Sequence, residues 1–456
     1  MLFRRKPIGD RTTDTGLRRS LGALDLTLLG VGAIIGAGIF VLTGVAAATQ
    51  AGPSIIVSYV IAASVCALAA LSYAELAAAI GGSGGAYCYA YAGLGEIVAW
   101  FVGWALMLEY GLAVSAVAIG WSAYFTNALT SLGVALPKAI AAGPDAGGMV
   151  NLPALGIIAA LTVLLCLGIE ASRWVNRLAV AIKLAVVGLF IVIAAGHVEV
   201  ANWQPFAPFG FSGIMSGAAI IFFSYIGFDA VCTAADEARN PQRDLPIGIL
   251  ASLALCTALY MLVAALLTGI VDYRTLDNAS PVAQAMLDLG FTWFAGVIAF
   301  GAVAGLTTVI LVIFYGQTRI LMAIARDGLL PVSLARVNPR TCAPTNSIVG
   351  TGIVVAAIAG FAPIGTVAQL TNIGTLAAFM AVCGAVIALR RRHPALPRPF
   401  RMPLVPLLPG LGMLGCLWLM SFLGAATWIY FALWIGIGSG VYFLYSIRTS
   451  ALARSA

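Results

Sequence analysis

The sequence is poor in charge. Only 9% of its 456 residues are Asp, Glu, Lys or Arg, where soluble globular chains carry roughly 25%. Hydrophobic residues make up 61% and the mean hydropathy is +1.02, so the chain reads as a polytopic membrane protein. Histidine is nearly missing: His197 and His393 are the only two, both in loops, which argues against a histidine-ligated metal site within the membrane. Neither a metal nor an organic cofactor is expected. The HExxH and GxGD patterns are absent, so two signatures of membrane enzymes are lacking, and no enzymatic activity is expected. No disulfide framework is available either: of the eight cysteines, Cys66, Cys166, Cys232, Cys256, Cys383 and Cys416 fall in apolar runs, and Cys88 and Cys342 fall in loops on the basic side. A cleavable signal peptide is not read at the start, because Arg4, Arg5 and Lys6 lead into an apolar run that continues past signal length.

What is present is a series of long apolar runs. A bilayer core needs about 20 such residues per helix, and the runs predict twelve spans, at 22–48, 54–80, 95–125, 152–170, 177–196, 212–236, 246–270, 292–325, 347–362, 366–389, 404–424 and 427–447. The net charge of +7 then reports orientation. With both termini cytoplasmic, all but three of the 24 Lys and Arg fall on the cytoplasmic side; Lys138 and Arg274 lie outside and Lys183 lies within a span. That asymmetry is the positive-inside rule, and it removes the need for a nucleic-acid partner. Compact loops and short termini suggest a bacterial inner membrane. The larger outer connections, 126–151 and 197–211, are rich in Gly, Pro and Ala and predict no separate soluble domain.

Against this background the stretch GVGAIIGAGIF, residues 30–40, is out of place, since it puts four glycines in the middle of a span. Gly costs about 1 kcal/mol relative to Ala in a helix interior, and in lipid a loosened turn leaves amides and carbonyls that no water can satisfy. Gly32 and Gly36 form a GxxxG pair, which by itself marks close helix packing in membranes. A second interruption tips the reading: IIFFSYIGFDAV, residues 220–231, carries Ser224, Gly227 and Asp229 near the middle of the sixth span. Paired interruptions in corresponding helices of two halves point to a midplane binding site formed by bare backbone.

GVGAIIGAGIF, SYAEL (72–76), GGSGGAY (81–87), FFSYIGFDAVCTAADEARNPQRDLPIGI (222–249) and YGQTRILMAIARDGLLP (315–331) together resemble the amino acid–polyamine–organocation superfamily, and within it the cationic amino acid transporters and their bacterial relatives. The resemblance covers nearly the whole chain. It implies an all-α fold of five plus five helices as inverted repeats with helices 1 and 6 broken, followed by two more helices. The divisions are then a basic N-terminus (1–21), a first repeat (22–196), a second repeat (212–389), a C-terminal pair (404–447) and a short tail (448–456).

The function implied is secondary active transport of L-amino acids by alternating access, with a proton as the coupling ion. A zwitterionic substrate needs acceptors for its ammonium and donors for its carboxylate. The broken first helix offers the N–H groups of Ala37 and Gly38 at a positive helix end and the carbonyls of Ile34 and Ile35 beside Gly36. Phe223, Ser224 and Ile226 add theirs from the second break. Ala37 stands where many relatives of the family have Thr or Ser. Phe223, Ile226 and, by resemblance, Ile313 would shape the pocket; being apolar, they suit small to medium neutral amino acids. Transport of arginine and lysine, exchange, and non-transporting sensing are the alternatives, and a small membrane partner subunit is left open.

Glu75, Glu109, Lys183 and Asp229 are ionisable residues inside spans, expensive there and functional candidates for that reason. Glu75, near the cytoplasmic end of its span, reads as structural. Glu109, in WALMLEYGL (104–112), lies mid-span, either at the far end of the pocket or as a protonated structural carboxyl. Asp229 falls just beyond the second break, where it would support an inner gate. Lys183 follows Arg177 by six residues, about 9 Å along a helix, and could snorkel to the interface. The resemblance implies instead a lysine whose ammonium stands in for the cation of sodium-coupled relatives, with Tyr260 linking it to the substrate region.

Overall fold

The computed structural model describes residues 4–6, 21–80, 84–168, 173–234, 238–278, 280–341 and 343–454. Arg11, Arg18, Arg19, Cys342 and residues 81–83 of the GGSGGAY motif lie outside the described residues. Among those described the chain is helical, and the one β-type pairing is an isolated bridge between Leu21 and Ala238.

The helices that matter for the site are α1 (Ala23–Ile34), α2 (Ile55–Ala79), α3 (Glu96–Ser131), α4 (Leu152–Cys166), α5 (Arg173–Ala195), α6 (Gly210–Ile221) and the one-turn α7 (Ala230–Thr233). They are followed by α8 (Pro241–Ile270), α9 (Thr292–Arg326), α10 (Thr345–Phe361), α11 (Ile364–Arg392), α12 (Leu407–Ser421) and α13 (Ala425–Val441). Eight helical stretches among the described residues are long and apolar enough to cross a bilayer, and α1, α4, α10 and α12 are shorter apolar helices of 10–17 residues.

One of the eight, Gly38–Ala79, is a folded-back pair. The hydroxyls of Thr43 and Tyr59 lie 2.6 Å apart, whereas residues that far apart on a straight helix would be separated by about 24 Å. The chain reverses at Gly52, whose φ of +62° is a conformation glycine adopts without penalty, immediately before Pro53. Two connections expected as plain loops contain helix instead, Gly85–Gly93 and Pro281–Asp288. The second begins on a proline, which has no N–H to leave unsatisfied at a helix start.

Small residues set how closely the helices approach. A Cβ on Gly248 of α8 would lie 2.8 Å from Leu26 Cβ of α1, and one on Gly30 of α1 would lie 2.5 Å from Ser252 Oγ of α8. The long helices α3 and α9 meet through Gly316, whose missing Cβ leaves room for the ring of Tyr110, and Gly103, which receives Ile324. Gly352 of α10 seats Thr162 of α4. In lipid, where apolar surface gains nothing by association, this close packing is what holds helices together.

Glu75 makes the main charged tie. Its carboxylate accepts from Arg390 Nε at 2.9 Å and Nη2 at 2.6 Å and from the Met402 amide at 2.8 Å, with Arg398 Nε 3.4 Å away. The Glu75 side chain is 1% exposed. This joins α2 to the end of α11 and to the segment leading into α12. Removing one partner of such a buried pair leaves uncompensated charge, at a cost of 3–5 kcal/mol or, with Arg390 partly exposed, about 3 kcal/mol. Glu75→Ala is therefore expected to lower the melting temperature of the detergent-solubilised protein markedly, while Arg401→Ala, at an exposed position, leaves it unchanged; equal melting curves for wild type and Glu75→Ala would refute the assignment.

Candidate functional site

The two interruptions expected from the sequence are both present. Helix α1 stops at Ile34, Ile35 turns out of the helix with ψ 96°, and helical winding resumes at Gly38 as a π-type turn, Gly38–Leu42. Helix α6 stops at Ile221 and tightens into a 3₁₀ turn, Phe222–Tyr225; it then leaves helical geometry at Ile226 (ψ 135°) and Gly227 (φ 113°) before α7.

The breaks cross each other. A Cβ on Gly38 would fall 2.4 Å from Ser224 Cα, and one on Gly227 would fall 3.0 Å from the carbonyl carbon and oxygen of Ala33. Glycine at 38 is thus required first by the opposing break. Its bare Cα faces Ser224, a reason that the sequence reading, which reserved this space for a ligand, did not contain.

A helix ends with four carbonyls that have no partner within it. At the end of α1, Val31 O accepts the Ile35 amide at 3.0 Å, Gly32 O accepts Lys183 Nζ at 2.6 Å, and Ile34 O accepts the Tyr260 hydroxyl at 2.7 Å. The Ile34 carbonyl is therefore already engaged, with one lone pair left over. Lys183 is fully buried and does not snorkel. Gly305 on α9 makes room for its stem, since a Cβ there would lie 2.8 Å from Lys183 Cγ. Lys183 and Tyr260 hold the same last turn from α5 and α8. At the other break, Asn372 Nδ2 of α11 donates to the carbonyls of Ala219 and Ile220 at 2.7 and 2.9 Å, and so caps the end of α6.

One face of α9 runs past the first break. Val309 stands against Gly36, where a Cβ would come within 3.3 Å of its Cγ1. Ile313 follows one turn later and Gln317 one turn after that, each four residues on and hence on the same face. Gln317 donates to Met107 O at 3.0 Å, and its Oε1 has no hydrogen-bond partner among the described residues. Next to it, Tyr110 of α3 donates to Asp229 Oδ2 at 2.8 Å. Glu109 is completely buried beside Gly374 of α11 and within electrostatic reach of Asp229. Both Glu109 oxygens, Asp229 Oδ1 and the Tyr73 hydroxyl have no hydrogen-bond partner among the described residues.

Ala37, Gly38, Phe223, Ser224 and Ile226 thus surround the crossing, Lys183 and Tyr260 flank it on one side, and Ile313 lies on α9 between Val309, against the first break, and Gln317. Asp229 ties α7 to α3 from inside the protein. Sequence reasoning missed Val309, Tyr59, Tyr110, Gln317 and Asn372. Tyr59 touches both halves, its hydroxyl lying 3.3 Å from Ser224 Oγ and 2.6 Å from Thr43 Oγ1. Gln317 and Asn372 carried a usable signal, because an amide in an apolar run is as anomalous as a charge; the tyrosines and Val309 carried none.

The crossing gives a stability test. Gly38→Ala must push the two backbones apart, and overpacking of this kind typically costs about 1–3 kcal/mol. Gly36→Ala meets only the Val309 methyls, at 3.3 and 3.4 Å, and should cost less. Thermal unfolding in detergent is expected to rank wild type, Gly36→Ala and Gly38→Ala in falling order; a Gly38→Ala protein as stable as wild type would contradict the close crossing.

Residues 21–447 match the amino acid permease family. The chain is 49% identical to the branched-chain amino acid permease BcaP of Bacillus subtilis over 460 aligned residues, covering 99% of both chains. It is 46% identical to the methylthioribose transporter of the same organism, again over 99% of both. Cationic amino acid transporter 4 of Homo sapiens is 36% identical over 85% of this chain and 62% of its own. The resemblance read from the motifs is therefore correct: the chain belongs to the amino acid permease family of the amino acid–polyamine–organocation superfamily, and is a membrane transporter of amino acids, not an enzyme.

Proposed function

We propose that the protein moves small to medium neutral L-amino acids across a bacterial inner membrane by alternating access, with both termini cytoplasmic. The twelve expected spans would form two inverted five-helix repeats, 22–196 and 212–389, followed by the pair in 404–447. The observation that carries this reading is the crossing of the two broken helices, Gly38 on Ser224 and Gly227 on Ala33. On this reading the N–H groups of the resuming helix at Ala37 and Gly38, a partial positive charge, would face the substrate together with carbonyls of the second break. A carboxylate fits the first and an ammonium fits the carbonyls of Ile35, Phe223 and Ile226. Phe223, Ile226, Val309 and Ile313 offer only apolar contact to the side chain, which favours branched aliphatic or smaller substrates, in keeping with similarity to a branched-chain permease.

A second reading has its own support. Glu109 and Asp229 are buried carboxyls with no cation near them among the described residues, and a basic substrate side chain reaching past Ile313 would meet them. If Ile313 is the barrier, Ile313→Ser opens volume and lowers the cost of bringing a hydrated charge inward. Arginine should then compete with labelled alanine in Ile313→Ser proteoliposomes at least tenfold better than in wild type, with alanine uptake retained. Unchanged competition removes Ile313 from the selectivity pocket.

Coupling to protons would run through Lys183. Its ammonium, held by Gly32 O, ties α5 to the last turn of α1 as a bound cation would; loss of the proton releases the tie and shifts the equilibrium between conformations. Lys183→Ala is expected to flatten the pH profile of uptake into sodium-free proteoliposomes while substrate binding persists. Lys183→Arg should fail to restore that profile, because a guanidinium keeps its proton throughout this range. A wild type that requires sodium, or a Lys183→Ala profile that follows wild type, overturns the coupling role. Uptake into liposomes holding this protein alone separates transport from sensing.

A further inference from the structure

An open groove of about 410 Å³ lies away from the crossing, between the start of α8 and the segment joining α11 to α12. One wall is α8, with Gln242 and Arg243 at the rim and Ile247 and Leu250 below; the other is Pro399 and Phe400. Arg243, Ile247 and Leu250 follow one another by four and three residues, so they stand on one helix face and run from polar to apolar over about 10 Å. Pro241 starts the helix, which places Arg243 in its first turn, at the level where an apolar helix leaves the bilayer. Ile247 is 40% exposed.

The rim is basic. Arg243 is exposed, as is Arg401, the residue after Phe400. Neither makes an ion pair among the described residues. Arg390, at the end of α11, and Arg398, on the joining segment, are both paired with Glu75. Arg243, which lines the groove, and Arg401, next to Phe400 of its wall, are thus left exposed and without an ion pair among the described residues.

We propose that this groove binds an anionic phospholipid, with its phosphate on Arg243 and Arg401 and one acyl chain along Ile247, Leu250 and Phe400. A charged rim above an apolar trough at the membrane boundary matches an amphiphile better than a soluble anion, which has no use for the trough, or a peptide, which would need backbone partners. Basic pockets at this depth are suited to acidic head groups. The groove also touches the transport machinery. The opposite face of α8 packs on α1 through Gly248 and Leu26, and α8 carries Tyr260, whose hydroxyl holds Ile34 O. Lipid in the groove thus bears on the helix that positions the first break.

The full-length protein, reconstituted in nanodiscs of phosphatidylcholine with a minor share of phosphatidylglycerol and then extracted into mild detergent, is assayed by native mass spectrometry for retained lipid. Wild type is expected to retain phosphatidylglycerol preferentially. Each Arg→Gln change at 243 or 401 should cut that preference about fivefold, the effect of one basic residue near an anionic surface, with the melting temperature unchanged because both side chains are exposed. Arg243→Lys should keep most of it. Leu250→Trp, which fills the trough, should reduce retention of both lipids. Equal preference in wild type and in the Arg243→Gln/Arg401→Gln protein overturns the proposal. So does displacement of the lipid by inorganic phosphate, which would mark a plain anion site, or a Leu250→Trp protein that retains lipid as wild type does.

Discussion

The structure depends on one constraint: two membrane helices are broken where they cross, and their backbones must pack directly against each other. Unpaired amides and carbonyls are costly in lipid, so the interruption of α1 at Ile35 would be unstable alone. It persists because the second break fits against it so closely that neither Gly38 nor Gly227 has room for a Cβ, and because side chains from other helices take up the freed carbonyls. Lys183 and Tyr260 serve α1; Asn372 serves α6. Each of these donors sits on a different helix, so the breaks organise α5, α8 and α11 around them.

The same geometry explains the distribution of polar groups. On one side of the crossing every strong donor is spent on a carbonyl. On the other, acceptors accumulate: Glu109, Asp229 Oδ1 and Gln317 Oε1 lack a hydrogen-bond partner among the described residues. Gln317 lies one helical turn beyond Ile313 on the face that carries Val309, and Tyr110 and Asp229 stand beside it.

Much of this was legible in the sequence, and the reasons differ by element. The broken helices could be read because glycine and aspartate in apolar runs are anomalies that only a special backbone explains. Glu75, Glu109, Lys183 and Asp229 stood out for the same reason. Val309 could not be found, because a valine against a break looks like any other valine in a span. The fold-back at Gly52 left a clear mark in Gly52–Pro53. The helices Gly85–Gly93 and Pro281–Asp288 were read as loops because hydropathy reports burial in lipid and says nothing about backbone winding outside it. For Gly38 the sequence pointed to bare backbone offered to a ligand, and the structure adds a reason of another kind: a glycine in this break makes room for the opposing backbone.

That last point bears on how chemistry could be coupled to movement. The turn of α1 that ends at Ile34 is held by two side-chain donors, and they differ in kind. Tyr260 is a hydroxyl donor, whereas the bond from a protonated Lys183 to Gly32 O is charge-assisted and roughly twice as strong as a neutral one. The two carbonyls are two positions apart, so on the proposal that Lys183 gives up its proton, weakening the lysine bond would leave the tyrosine bond as a pivot for the rest of the turn. The break nearest Ile35 would then be free to rotate about Ile34 while Gly38 stays pinned against Ser224. A hinge with one constant and one adjustable restraint can relax in a defined direction; with both constant it would be rigid, and with neither it would have no preferred closed state.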